Sequence, residues 1–252
     1  MLGIDLLITL AVIGAIGGFI GGIGGPGGIP ILLGLNVLLA LDPSTAAITA
    51  SSLFFAATVL GGVLYYYSDG IKWGFAAAIS VPAMTGSHIG TQISTLLSAT
   101  MFELILGVAF MLIAGGVIHQ ELTESTDTFA VSPSKIQLYA VLITGSLAIG
   151  VLAGITGLGG PALAIPLLLV LGIEPSAAVG AGLVSGIPIT FTTTVGHAIQ
   201  GTTPELIPLL VIGVPTLIAQ VIGWKYVHDV PDTYVSYTIA GIGIIGGVTF
   251  ML

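Results

Sequence analysis

Long apolar stretches recur from one end of the chain to the other, separated by short polar or Gly/Pro-rich breaks. Most are close to the roughly 20 residues that a helix needs to span the roughly 30 Å hydrocarbon core of a bilayer. The second stretch of each half is shorter and cannot cross unaided. The predicted segments are 3–22, 29–41, 44–67, 73–97 and 101–118, then 136–156, 161–173, 176–198, 205–227 and 233–251.

The two halves of the chain resemble one another residue by residue, which indicates a duplication. Laid on each other at a nearly constant offset, Gly25, Gly27 and Gly28 fall on Gly157, Gly159 and Gly160, and Asp42-Pro43-Ser44 falls on Glu174-Pro175-Ser176. An acid followed by Pro is typical of the N-cap and first position of a helix, so Asp42 and Glu174 are predicted to begin helices.

The predicted fold class is therefore an all-α polytopic membrane protein built from two repeats of about five segments each, with 8–10 transmembrane helices. Residues 1–118 form the first repeat, 119–135 a polar linker and 136–252 the second repeat. If every segment crosses, the second repeat is inverted, and all three lysines then fall on one face, as the positive-inside rule prefers. If the first two segments of each half instead make a single broken crossing, Lys225 separates from the other two. We accordingly expect inverted repeats, a cytoplasmic linker and both termini outside.

Composition narrows the class of protein. The 252 residues are 55% hydrophobic and 6% charged, with three Lys, no Arg and no Cys, and the net charge is −8. No basic patch is available for nucleic acid, and thiolate metal sites and thiol relays are excluded. The N-terminus has no basic residue before its apolar run, so we expect a retained first helix rather than a signal peptide. The expected location is the plasma membrane, with several crossings.

Two clusters of glycine and proline interrupt the apolar pattern. Residues 21–30 read GGIGGPGGIP, and 157–161 read GLGGP at the corresponding place in the second half. Non-helical backbone at membrane depth survives only where it is buried in protein or lines a cavity, and paired breaks in two repeats indicate a transporter's binding site. A helix that begins after such a break offers free N–H groups to an anion without any Lys or Arg. The sequence therefore predicts Gly-broken or re-entrant helical hairpins that bind a small anion.

A family resemblance rests on these stretches. GGPGGIP at 24–30, ASSL at 50–53, GIKW at 70–73 and GLGGP at 157–161 together resemble the sulfite and sulfonate exporters of the TauE/SafE family. The resemblance covers nearly the whole chain and implies a two-repeat permease that moves sulfite, organosulfonates or similar small anions, usually outward. Pro26 and Gly182 depart from the family's pattern, and these departures bear on the substrate more than on the fold.

Polar side chains within the segments are the other candidates, because such groups face a bundle interior or cavity by default. His88 and Gln92 lie four residues apart on one helical face, and His88 is also the candidate for proton coupling because histidine titrates near neutral pH. His197 and Gln200 come near a segment end and are predicted to be interfacial. The candidate substrate-binding residues are Gly24, Gly25, Gly27, Gly28, Ser51, Ser52, His88, Gln92, Gly157, Gly159, Gly160 and Gln220.

The favoured function is a secondary transporter, expected to be an exporter, of a small anion bound between the two broken hairpins and moved by alternating access. A passive anion channel or a membrane subunit of a larger assembly fits the duplication as well. An intramembrane enzyme is disfavoured because no acid lies at a segment centre and no His pair has the spacing of metal ligands. We expect no metal and no cofactor, and the partners are the anion and the lipid bilayer, with no nucleic acid. Coupling ion, direction of transport and homo-oligomeric state stay open.

Overall fold

The computed structural model describes residues 3–67, 71–123, 135–171, 173–226 and 232–251, and within these ranges the chain is helical with no strand. The helices are α1 (Ile4–Gly22), α2 (Gly28–Leu33), α3 (Pro43–Tyr66), α4 (Trp73–Ser94), α5 (Ala99–Thr123), α6 (Lys135–Thr156), α7 (Pro161–Val170), α8 (Pro175–Ile199), α9 (Leu206–Tyr226) and α10 (Asp232–Met251). A short π-helical stretch, Gly34–Leu38, prolongs α2.

Six of these helices are long and apolar enough to cross a membrane, namely α1, α3, α5, α6, α8 and α9. The chain is an all-helical multi-pass membrane protein over its described residues, as predicted, whereas the 8–10 crossings and the two repeats stay a prediction. The short helices α2 and α7 are also confirmed: Gly28–Leu38 and Pro161–Val170 rise about 15 Å at 1.5 Å per residue, half the thickness of the hydrocarbon core.

Helix ends follow the predicted segments with a few differences. Helix α5 continues to Thr123, five residues into the stretch that was predicted as linker, and α6 begins at Lys135. Residues 124–134, which hold the rest of that predicted linker, lie outside the described residues. Asp42 and Glu174 are the N-cap residues of α3 and α8, as predicted, but only the Asp42 side chain accepts a hydrogen bond, from Thr45 N at 3.1 Å.

Helix α2 folds back along α1 as a hairpin rather than continuing it as one broken crossing. Near the turn, Gly27 lies against Gly17 and Gly21; farther on, Gly34 lies beside Ile13. As the chain advances along α2, its contacts lie closer and closer to the start of α1. The two helices are therefore antiparallel. In the second half, the Leu167 side chain of α7 lies against Gly145 of α6, at the corresponding place. Each glycine cluster thus lies at the tip of a helical hairpin.

The closest helix packing joins α1 to α9 and α4 to α6, so each pair takes one helix from each half of the chain. Gly14, Gly18 and Gly22 of α1 lie directly on the α9 backbone, and a Cβ on Gly18 would overlap the carbonyl oxygen of Thr216. Gly150 and Gly154 of α6 lie on α4 in the same way. Small residues spaced four apart allow backbones to approach this closely, as in membrane helix pairs generally.

Helices α3 and α8 pack on each other between these two pairs, through hydroxyl side chains as well as apolar ones. Thr194 Oγ1 donates to Ser51 Oγ at 3.0 Å, and Thr58 Oγ1 lies 3.4 Å from Thr190 Oγ1. Most of these hydroxyls also bond to a carbonyl of their own helix, which satisfies them without water. Exchanging the two halves maps α1–α9 onto α6–α4, so the packing agrees with the expected repeat, while the inversion of the repeats stays a prediction.

Candidate functional site

The first glycine cluster makes the tight turn between α1 and α2. Gly24 has φ +91°, a left-handed conformation that glycine adopts without the steric cost a Cβ would bring. Gly25 N donates to Ile20 O at 2.8 Å, which closes the end of α1. Because Pro26 has no N–H and Gly27 N is already bonded to Gly25 O, the next free donor is Gly28 N, in the first turn of α2.

The second cluster repeats this arrangement between α6 and α7. Gly157 has φ +71°, and its N–H donates to Ala153 O at 2.9 Å. Leu158 N donates a hydrogen bond to Thr156 Oγ1 at 3.1 Å, and Pro161 has no N–H. Among the described residues, the N–H of Gly159 has no acceptor, so this hairpin also reaches its tip with a free backbone donor.

A pocket lies between the two hairpin tips and is bounded by α3, α8 and α9. It offers about 60 Å³ of space to the centres of water-sized atoms and is partly open. About 10 to 15 Å³ of such space holds one water molecule, so the pocket has room for a few waters or one small ion. Its lining residues are Gly17, Gly18, Gly21, Gly25, Pro26, Gly27, Gly28, Ile31, Phe54, Ala57, Thr58, Gly159, Pro161, Ala162, Ile165, Leu183, Thr216 and Gln220.

The chemistry of this pocket is that of an apolar cavity with a few hydrogen-bonding groups. Phe54 supplies one wall and lies next to both glycines, with Gly28 nearest the far end of its ring and Gly159 nearest its Cβ and Cγ. None of the lining residues carries a charge. The polar groups are the backbone of the glycine clusters and three side chains, those of Thr58, Thr216 and Gln220.

Five of the predicted site residues line the pocket, and they come from both halves: Gly25, Gly27, Gly28, Gly159 and Gln220. The other three predicted glycines support the tips from behind. A Cβ on Gly157 would overlap Ala47 O, whereas one on Gly24 or Gly160 would press on an apolar side chain of α8. Gly24 and Gly157 favour glycine through both their left-handed conformation and their packing, whereas Gly160 has φ −45° and favours it through packing alone.

The predicted hydroxyl and α4 residues lie elsewhere. Ser51 is buried between α3 and α8, where it accepts from Thr194, and Ser52 is half-buried, but neither lines the pocket. His88 and Gln92 share one face of α4, as their spacing predicts, yet that face is exposed. The opposite face of α4 is the one that packs on α6, through Gly86 and Gly90.

His197 and Gln200 have partners on other helices, which the sequence did not indicate, while their predicted interfacial position stays a prediction. The His197 side chain is fully buried, and its Nε2 donates to Gly154 O at 3.0 Å. Gln200 Nε2 donates to Thr91 O at 2.7 Å. The end of α8 thereby bonds to carbonyls in the last turns of both α6 and α4; Thr91 O of α4 also accepts from Ser94 Oγ at 2.7 Å. Sequence position alone placed both residues near a segment end but could not show that other helices surround them.

Several pocket residues were missed because nothing local distinguishes them from ordinary membrane-helix residues. Gly17, Phe54 and Thr58 lie inside continuous apolar segments, and Gly21 begins the first glycine cluster without being singled out. Only the spacing of Gly17 and Gly21, four residues apart and just before the break, was a usable signal. Among the described residues, no group of three or more His, Asp or Glu is close enough to hold a metal ion.

Comparison with known proteins shows which family the chain resembles. The model of the family described as sulfite exporter TauE/SafE matches residues 7–250. The chain belongs to this family. The match confirms the resemblance predicted from the glycine motifs, and TauE/SafE proteins are membrane transporters. The probable membrane transporter protein YjnA of Bacillus subtilis (strain 168) is 58% identical over 43 residues, 17% of either chain. No solved structure matches the chain at a significant level.

Proposed function

We propose that this TauE/SafE protein is a secondary transporter, working as an exporter, of a small anion such as sulfite or an organosulfonate. The observation that carries the proposal is the pocket between the two hairpin tips, because it joins the corresponding glycine clusters of both halves in one cavity. A site at the interface of two repeats is where alternating-access transporters bind their substrates.

The pocket suits an anion through backbone donors rather than through cations. The N–H groups of Gly28 and Gly159 have no acceptor among the described residues, and both glycines line the cavity. Each lies at the start of a short helix, where the peptide dipoles favour negative charge. Oxygen atoms of a sulfite or sulfonate group would accept from these donors while the apolar wall excludes water. Such binding is weaker than an ion pair, which favours release as well as capture.

The helix pairing supports alternating access. The α1–α9 and α4–α6 pairs are each tightly packed through glycines, and both contact the α3–α8 pair. We infer that the tightly packed pairs move as units against α3–α8 and so open the pocket to one side of the membrane at a time. His88 lies outside this cavity, so a proton-coupled step through it would act at a distance from the anion; that role stays a prediction.

The test is counterflow of labelled sulfite into proteoliposomes that are preloaded with unlabelled sulfite. Gly21 lines the pocket, and a Cβ there would meet no atom within 4 Å, so Gly21→Leu fills the cavity without disturbing the backbone. We expect saturable counterflow in the unmodified protein and at least tenfold slower counterflow in Gly21→Leu.

The matched control is Gly115→Leu, because Gly115 of α5 also has open space around it but is not among the residues that line the pocket. It should transport at close to the unmodified rate. A channel would show flux without counterflow. Equal rates in the two variants would refute the assignment of the pocket, and absence of protein-dependent sulfite or sulfonate counterflow in folded protein would refute the proposed substrates.

A further inference from the structure

Each of the three polar side chains that line the pocket already donates a hydrogen bond to an acceptor of the protein. Thr58 Oγ1 donates to Phe55 O at 3.0 Å, and Thr216 Oγ1 donates to Ile212 O at 2.7 Å. A threonine hydroxyl has one hydrogen, so each of these groups has only acceptor lone pairs left to offer a ligand. Gln220, which is 3% exposed, is the remaining polar side chain.

The amide of Gln220 is held in one orientation. Its Nε2 donates to Ala57 O at 2.9 Å, and the opposite amide orientation would place two oxygen atoms together. Its Oε1 is buried and has no hydrogen-bond partner among the described residues. Because a buried acceptor without a donor is costly, this atom needs a partner that the protein does not supply.

An anion without hydrogen cannot be that partner. Oxygen lone pairs of a fully deprotonated oxoanion would repel Oε1, as they would repel the Thr58 and Thr216 oxygens. A ligand that carries both a negative sulfur oxoacid group and a hydrogen-bond donor satisfies both kinds of group. Its oxygens accept from the glycine N–H groups, and its donor binds the glutamine oxygen.

Resting on the proposed function, we propose that the transported anion carries its own O–H or N–H group and donates it to Gln220 Oε1. Two sources share this chemistry: a protonated monoanion such as hydrogen sulfite, and a sulfonate with a hydroxyl or ammonium substituent. The pocket discriminates against fully deprotonated dianions and against plain alkyl sulfonates. Gln220 is thus a specificity-determining residue that acts through an acceptor, whereas an anion site ordinarily uses donors.

The experiment measures how 2-hydroxyethanesulfonate and propane-1-sulfonate inhibit sulfite counterflow. The two anions have the same number of non-hydrogen atoms and differ by a hydroxyl in place of a methyl group. We expect the hydroxy compound to inhibit at an at least roughly tenfold lower concentration. A parallel arm measures sulfite counterflow as a function of pH, and the rate should follow the fraction of the protonated monoanion.

Two variants test whether Gln220 causes the preference for the hydroxy compound. Gln220→Met keeps the length of the side chain and removes the acceptor, so the preference for the hydroxy compound should fall below about threefold. Gln137→Met makes the same change at an exposed position of α6 outside the pocket lining and should keep the full preference.

Equal inhibition by the two sulfonates in the unmodified protein would overturn the proposal and leave sulfite transport standing. So would a preference that Gln220→Met retains. The comparison of the two sulfonates on the unmodified protein tests the proposal even if Gln220→Met fails to fold. Absence of any sulfite counterflow would refute the proposed function, and this inference with it.

Discussion

Replacing His197 by alanine should destabilise the junction between α6 and the second glycine cluster. In an uninterrupted helix, Gly154 O would accept from Leu158 N, but that N–H is bonded to Thr156 Oγ1. The His197 ring replaces the missing donor, with Nε2 3.0 Å from Gly154 O. His197→Ala therefore leaves a buried carbonyl without a partner and a cavity where the fully buried ring was.

The size of the effect follows from these two losses. An unsatisfied buried acceptor costs about 1 to 3 kcal/mol, and removal of a fully buried ring adds a cavity cost of similar size. A total of about 2 to 6 kcal/mol corresponds to a decrease in Tm of roughly 4 to 24 °C for a chain of this length. The decrease should be independent of substrate, because His197 is not among the residues that line the pocket.

The assay is thermal unfolding of purified protein in detergent, followed by tryptophan fluorescence. His88→Ala is the matched control: the same residue type is removed, but from an exposed position on α4. Exposed substitutions usually change stability by less than about 0.5 kcal/mol. If the two variants have the same Tm, the interpretation of His197 as a helix cap is refuted.

Two further outcomes are expected. Asp42→Ala should destabilise α3 by about 0.5 to 2 kcal/mol because its side chain caps Thr45 N, whereas Glu174→Ala, at an N-cap without a side-chain bond, should cost much less; chemical denaturation of both variants compares them. Gly18→Ala should prevent the close approach of α1 and α9, because its Cβ would overlap Thr216 O, and size-exclusion chromatography should show loss of the folded species. A monodisperse, active Gly18→Ala protein would contradict the packing described for α1.

The positions of the helices were largely predictable because their determinants are local. Apolar runs of sufficient length mark the spans, and the glycine–proline clusters interrupt them wherever the chain must turn. The short helices α2 and α7 were recognised from their length alone. The hairpin geometry was not, since a broken crossing and a re-entrant pair have the same sequence pattern; the contact between Gly34 and Ile13 decides it.

The candidate site was predictable only in part, because it depends on which helix faces meet. Five predicted residues line the pocket, four of them glycines at the hairpin tips, where the break itself is the signal. His88 and Gln92 were selected because a polar face on a membrane helix usually turns inward, but α4 directs Gly86 and Gly90 inward instead.

By itself, the sequence determined that this protein is a membrane-spanning bundle of two similar halves with bare backbone at two corresponding turns. Hydrophobicity, helix length and the conformational freedom of glycine are properties of neighbouring residues, so they can be recognised without a structure. Only the tertiary structure decided that both turns border one cavity, that Gln220 completes it and that His197 caps α6. Those relations depend on contacts between distant residues, which the local pattern does not specify.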